Sequence, residues 1–324
     1  MEDKDNSDLA LSSFASLNQS LSSPLNDDLA KILEKLEIKG EIKEEKHPLV
    51  LFMKEKWPKL KTSRIKYSYT NAQTKWKEFE INDKIYLFRI TNKIDKKIKD
   101  LIRAEYKIHS ENEELKSPEF ICFFLSKSPT FSLFTIEKYY TLEEILEKKK
   151  IINFSDETTE FSMDELLQAS LETIKNLMPD PDSDETDKKY YICPFFTPDN
   201  LLCTETVGKE FFLLSEIFLA TNSVEEETQE IELINKNIKD WLPPEFKKNK
   251  AKLSFASNIY CLGNIFYKIA FNKNPKANIK IPENSLYKKL IENCLENTKN
   301  KRWSIEDIQK YINENEFDEE EKEE

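Results

Sequence analysis

The side chains able to do chemistry in this sequence are few, and their spacing narrows the options. Histidine occurs twice, at His47 and His109, and the five cysteines (Cys122, Cys193, Cys203, Cys261, Cys294) are scattered with no CxxC pair. A Cys/His zinc site needs closely spaced ligands, so the pattern argues against a metal and reads as reduced thiols in a cytoplasmic or nuclear protein. Glycine occurs only at Gly40, Gly208 and Gly263. Phosphate chemistry that relies on a glycine-rich loop, whose backbone amides approach the phosphate, lacks its cradle, since no glycine lies between 40 and 208. The 61 Asp and Glu against 49 Lys and Arg leave a net charge of -12. That balance disfavours acidic partners such as nucleic acid.

The elements that must position any site follow from the patterning. With 39% hydrophobic and 11% aromatic residues in 324, the chain can bury a sizeable core, either one large domain or two parts around a cleft. Residues 1–46 read as a mostly disordered leader, Ser/Asn/Asp-rich, with a short helix over 28–37 in which Leu29, Ile32, Leu33 and Leu36 share a face. That helix packs on its own domain or docks a partner; both readings stay open. The start MEDKDNSD is acidic and unlike a signal peptide, and the runs FICFFL and FFLL are too short to span a bilayer, so no membrane partner is expected. Alternation predicts strands over Arg64–Thr70, Lys75–Ile81, Lys84–Thr91, Phe120–Ser126 and Phe131–Lys138, with a helix over Lys93–Glu111 after the third. Helical spacing dominates after Tyr140, over 142–149, 164–178, 258–271, 285–296 and 305–313, with short strands near 201–203 and 211–214. The tail 314–324 is nearly all acidic and reads as disordered. The fold class is α+β: a five-stranded β part with one helix over 47–140, then a mainly helical part over 141–313.

Four strings in that order carry a resemblance. Ser257-Asn258-Ile259-Tyr260-Cys261-Leu262-Gly263 resembles the SDIYSLG helix of protein kinases, and Asn300-Lys301-Arg302-Trp303-Ser304-Ile305-Glu306-Asp307-Ile308 resembles KRPSIEDI. Trp241-Leu242-Pro243-Pro244-Glu245 resembles the APE segment, and Pro198-Asp199-Asn200-Leu201-Leu202 resembles PENLL. The chain thus resembles a degenerate member of the protein kinase-like superfamily over roughly Lys66 to Ile312. The resemblance implies a two-lobed fold and a structural ion pair between Glu245 and Arg302. It does not fix the subfamily.

The same resemblance implies that the chemistry has been lost. Phosphoryl transfer needs a lysine and its acid partner, two magnesium ligands and a proton-accepting aspartate. The lysine position holds Arg89, with Glu105 as its helix acid, and Leu87 replaces the small residue that lies over the base. The catalytic aspartate position is Phe195 and the catalytic-loop lysine position is Thr197; Cys193-Pro194-Phe195 stands for HRD. A benzyl group accepts no proton. Glu216-Ile217-Phe218 stands for DFG, where a glutamate is a poor magnesium ligand. Asn200 is kept, either as a ligand or as a loop cap. Asn258 replaces an aspartate that braces the catalytic loop, so the brace is expected to go with the base. Thr221, Ser223 and Thr228 lie among Glu225, Glu226 and Glu227, where an added phosphate would meet acids.

The expectation is therefore a pseudokinase: no catalytic residue, no cofactor and no metal, with other proteins as partners, an active kinase or its substrate among them. Residues 28–37, the apolar stretch Pro48–Trp57 and the acidic inserts are the candidate surfaces. Two other readings remain. One is a divergent phosphotransferase carried by Arg89, Glu105, Asn200 and Glu216; the other is an inactive switch that binds ATP and magnesium at those residues. Oligomeric state is not legible.

Overall fold

A computed structural model describes residues 24–35, 39–65, 74–81, 84–91, 96–111, 117–125, 130–154, 157–179, 188–193, 195, 197–214, 219–232, 236–246, 250–275 and 280–317. Eight α-helices and a six-stranded mixed sheet are formed among these residues. The chain falls into two compact units: the described parts of 1–37 together with 44–59, and 38–43 together with 60–324.

The smaller unit is a pair of helices. α1 spans Pro24–Glu34, four residues earlier than the helix start read from the sequence. Proline suits a first helical turn, where its missing N–H is not needed. Asp27 therefore lies inside that turn rather than capping it, and residues 36–38 are outside the described set. α2 spans Pro48–Lys56, with His47 Nδ1 accepting from the Leu49 amide at its start. The sequence reading left this stretch without secondary structure. Leu49, Val50, Phe52 and Met53 are buried around α2, so no polar stripe announces a helix.

The larger unit opens with β1 (Gly40–Glu41) and β2 (Lys61–Thr62), then the long hairpin β3 (Thr74–Ile81) and β4 (Lys84–Thr91), helix α3 (Lys96–Glu111), and β5 (Glu119–Phe124) with β6 (Thr130–Glu137). The sheet order is β1-β5-β6-β4-β3-β2, parallel only between β1 and β5. This corrects three sequence readings. The sheet has six strands, not five. Gly40–Glu41, assigned to the disordered leader, form an edge strand too short to show periodicity. A strand forms at Lys61–Thr62, ahead of the expected span Arg64–Thr70, of which 66–70 are outside the described residues.

β7 (Tyr139–Thr141) leads into α4 (Leu142–Glu147), a hairpin of β8 (Ile151–Phe154) and β9 (Glu157–Glu160), and α5 (Met163–Lys175). α4 and α5 begin at capping boxes, Thr141 with Glu144 and Ser162 with Glu165. Then come β10 (Tyr190–Ile192), β11 (Leu201–Thr204), β12 (Phe212–Leu213), β13 (Leu219–Thr221), β14 (Ile231–Glu232) and β15 (Lys250–Ala251). α6 (Phe255–Phe271), α7 (Lys288–Cys294) and α8 (Ile305–Glu314) close the chain. α6 is buried nearly all round, as expected of the central helix of a core. Gly263 makes that packing possible: a Cβ there would stand 2.7 Å from Cys294 Cβ and 2.9 Å from Leu295 Cδ2.

The acidic tail also begins inside the fold rather than free. Phe317 is buried, its ring 5.1 Å from that of Tyr287, whose hydroxyl donates to Phe317 O at 3.1 Å. One aromatic anchor thus overrides the charge pattern up to residue 317, and the rest of the tail is outside the described set.

Candidate functional site

The sequence-predicted site residues lie on two frameworks, the β4–α3 face of the sheet and the segment leading into β11. On the first, antiparallel register sets Arg89 opposite Trp76 on one side and Ser132 on the other. Ile98, Ile102, Glu105 and His109 recur at helical spacing along α3, and the first three are buried against the sheet. Glu105 therefore meets Arg89 in the interior. The guanidinium donates to both carboxylate oxygens, at 3.0 and 2.5 Å, and to Ser132 Oγ at 3.0 Å. Arg89 also stacks over the rings of Trp76 and Phe134, 5.7 and 5.5 Å from their centroids. Both charged side chains are at most 1% exposed. One turn further, His109 packs edge-on to Phe120 and Phe134 and shares a hydrogen bond with Ser117. Burial, with the Arg89 charge nearby, pushes its imidazole down to about 4.

Around this pair the interior is filled. Leu87 lies opposite Phe134 in the sheet, and both are fully buried in one cluster with Trp76, Ile65, Tyr139, Leu202 and Leu214. That cluster joins the sheet directly to β11 and to the segment after β12.

A polar network that the sequence reading missed lies beside it. Tyr139 OH donates to Glu78 Oε2 at 3.0 Å and lies 3.2 Å from Ser63 Oγ. Arg64 donates to Tyr139 O at 2.7 Å, lies 3.4 Å from Glu144 and 3.7 Å from Glu78, and stacks on the Tyr139 ring at 4.0 Å. Burial pushes the Glu78 carboxyl upward, yet the Lys61 ammonium and Arg64 guanidinium outweigh it and hold it below the usual range. The available signal was period two: Trp76, Glu78 and Glu80 share one face of a strand, and a glutamate between a tryptophan and the sheet core needs a partner.

The second framework is the segment 191–200. Asn258 on α6 accepts from the Cys193 amide at 2.8 Å and donates to Tyr191 O at 2.9 Å. This corrects the expectation that the brace is lost: a neutral amide holds the segment at both a donor and an acceptor. Phe195 is buried in the core shared by α5, α6 and α8. Thr197 caps the short turn Pro198–Asn200, and its amide and hydroxyl both donate to Asn200 Oδ1, at 3.2 and 2.7 Å. Asn200 Nδ2 donates to Leu214 O at 3.0 Å, and the Leu214 amide returns a bond to Asn200 O at 2.9 Å. The asparagine is a loop cap whose oxygen already accepts twice. Pro194, Phe196 and Glu216 lie outside the described residues.

Glu245 and Arg302 come together as a bidentate pair at 2.7 and 2.8 Å. Arg302 further donates to Ala256 O and Glu296 O, both at 2.8 Å, and Glu245 accepts from Ser257 Oγ at 3.1 Å. The pair ties the Pro243–Glu245 turn to the start of α6 and the approach to α8.

Among the described residues no cluster of three or more His, Cys, Asp or Glu could hold a metal ion, and no helix is long and apolar enough to cross a membrane. All five cysteines are buried, and burial pushes the Cys122 and Cys203 thiols up to about 12, far from the range of a reactive thiolate. A scan of the sequence against protein-family models finds no match, and a search among curated proteins finds none.

Proposed function

We propose that this chain is a pseudokinase-type domain that works by binding other proteins and transfers no phosphate. On this reading the six-stranded sheet with α3 is the small lobe, and α4 to α8 form the large one. The observation that carries it is one buried apolar cluster that Trp76, Leu87 and Phe134 of the sheet share with Leu202 and Leu214, at the positions where the kinase resemblance would put the base. The polar groups next to those positions are committed elsewhere. Arg89 is closed off by Glu105 and Ser132, and the oxygen of Asn200 accepts two bonds from Thr197. These side chains do not fit a magnesium nucleotide, and Phe195, buried in apolar surroundings, supplies no base.

The test is thermal unfolding with millimolar ATP, with and without magnesium, followed by a phosphate-transfer assay on a general substrate. A ligand at 100 times its dissociation constant stabilises by about 2.7 kcal/mol, a shift such a scan detects. The proposal expects no shift and no transfer. A saturable shift without turnover would replace it with the nucleotide-binding switch. Transfer abolished by Arg89→Ala would replace it with a divergent enzyme.

A further inference from the structure

We propose that residues 39–43 are a strap that sets the position of α3, and through α3 the Arg89–Glu105 pair. The strap grips two elements at once. Gly40 and Glu41 pair in parallel with Cys122 and Phe123 of β5, and the Ile42 amide donates to Phe123 O at 2.8 Å. Lys39 adds an exposed ion pair with Glu119 at the start of β5, at 2.9 Å. On the other side, Glu41 accepts from Arg103 Nη2 and Nε at 3.0 and 3.3 Å, and Gly40 packs against the Tyr106 ring, where a Cβ would be 3.7 to 3.8 Å away.

The placement of those grips on α3 is the argument. Arg103 and Tyr106 flank Glu105 within a single turn, so the strap holds the outer side of the turn whose inner side carries the carboxylate. Tyr106 also stacks edge-on to Phe120 of β5, 5.2 Å between centroids, so strap, helix and strand form one closed contact. Gly40 is the one residue of the strap with a special backbone: at φ +101° it occupies a region that side chains rarely adopt. It is also one of only three glycines in the chain.

The connectivity turns this contact into a device. Five residues (35–39) separate β1 from α1 and six (42–47) separate it from α2, and both helices belong to the other compact unit. A change imposed on the smaller unit therefore reaches α3 through the backbone on both sides of the strap. The device gives a binding protein a way to report occupancy at the Arg89–Glu105 pair, and it assumes nothing about nucleotide.

Hydrogen exchange by mass spectrometry on the full chain tests it, comparing wild type, Gly40→Val, Glu41→Arg and the charge swap Glu41→Arg/Arg103→Glu. Straining the strap in Gly40→Val should speed exchange at the Ile42 amide and along 102–109 by about tenfold. Glu41→Arg should act in the same places by up to about fivefold, and the swap should restore protection. If the Ile42 amide opens while 102–109 exchange as in wild type, α3 does not depend on the strap and the proposal fails. If neither variant opens Ile42, these contacts do not hold the strap and the proposal fails equally. Neither result bears on the nucleotide scans described above.

Discussion

Removing one partner of the Arg89–Glu105 pair should cost far more than removing both. The two side chains are 1% and 0% exposed, so neither charge has water to fall back on. In Arg89→Met the Glu105 carboxylate loses a bidentate donor and remains inside a cluster that includes Trp76, Ile102 and Phe134. Breaking a buried pair in this way costs about 3–5 kcal/mol. At roughly 2–4 °C per kcal/mol for a domain of this size, that is a fall of about 10 °C in Tm. Glu105→Gln should cost a similar amount, since it leaves the guanidinium charged and buried. Arg89→Met/Glu105→Met removes both desolvation penalties and should recover most of the loss, because apolar replacements of a buried pair are often neutral. Denaturant unfolding of the four proteins, read as a double-mutant cycle, gives the coupling. If Arg89→Met unfolds within about 1 kcal/mol of wild type, the pair is not a structural element and the reasoning fails. Additivity of the two single losses would refute the reasoning just as directly.

Three other outcomes follow from the same geometry. Phe195→Asp restores a carboxylate at the position the kinase resemblance assigns to the base, yet it places that carboxylate in an apolar core; chemical unfolding should show a loss of at least about 3 kcal/mol, with no phosphate transfer gained. His109 is held neutral, down to about 4, whereas an unfolded imidazole titrates near 6.5. Its contribution is therefore complete above pH 6.5 and is lost as pH falls from 6.5 toward 4, by roughly 3 kcal/mol, and His109→Leu should flatten that limb of the stability-against-pH curve. Gly263→Ala puts a methyl 2.7 Å from Cys294 Cβ, so α6 and α7 must separate; a loss of about 1–3 kcal/mol by urea unfolding is expected, reduced in Gly263→Ala combined with Leu295→Ala.

Much of the element order was legible because each long element has one dominant signal. α6 is apolar over most of its length, β3 and β4 alternate, and α3 repeats Ile98, Ile102 and Glu105 on one stripe. The Glu245–Arg302 and Arg89–Glu105 pairs were legible for a different reason: each joins an acid and a guanidinium at positions that the kinase resemblance pairs. The remainder was hidden by length or by long range. β1 has two residues, and its only sequence mark is a glycine. The paired strands β8 and β9 have four residues each, below the length at which alternation can be told from chance. Arg64, Glu78 and Tyr139 are separated by 14 and 61 positions, so nothing local predicts that they meet. Phe317 sits in a string of acids, and only the rings of Tyr287 and Tyr311 explain its burial.

The hydrogen bonds that hold the turn Pro198–Asn200 and the residues before β11 run between neutral groups. A charged brace holding a charged loop is stable only while both charges are present, since either one alone is a buried ion. Here Asn258 donates once and accepts once, Thr197 and Asn200 satisfy each other, and Leu214 closes the turn through the backbone. Every one of these groups is neutral, so none is forced to stay for the sake of another's charge. Leu202 and Leu214 belong to the same buried cluster as Leu87 and Phe134. Opening that interior to a ligand requires separating the apolar cluster, not only placing an aspartate at position 195.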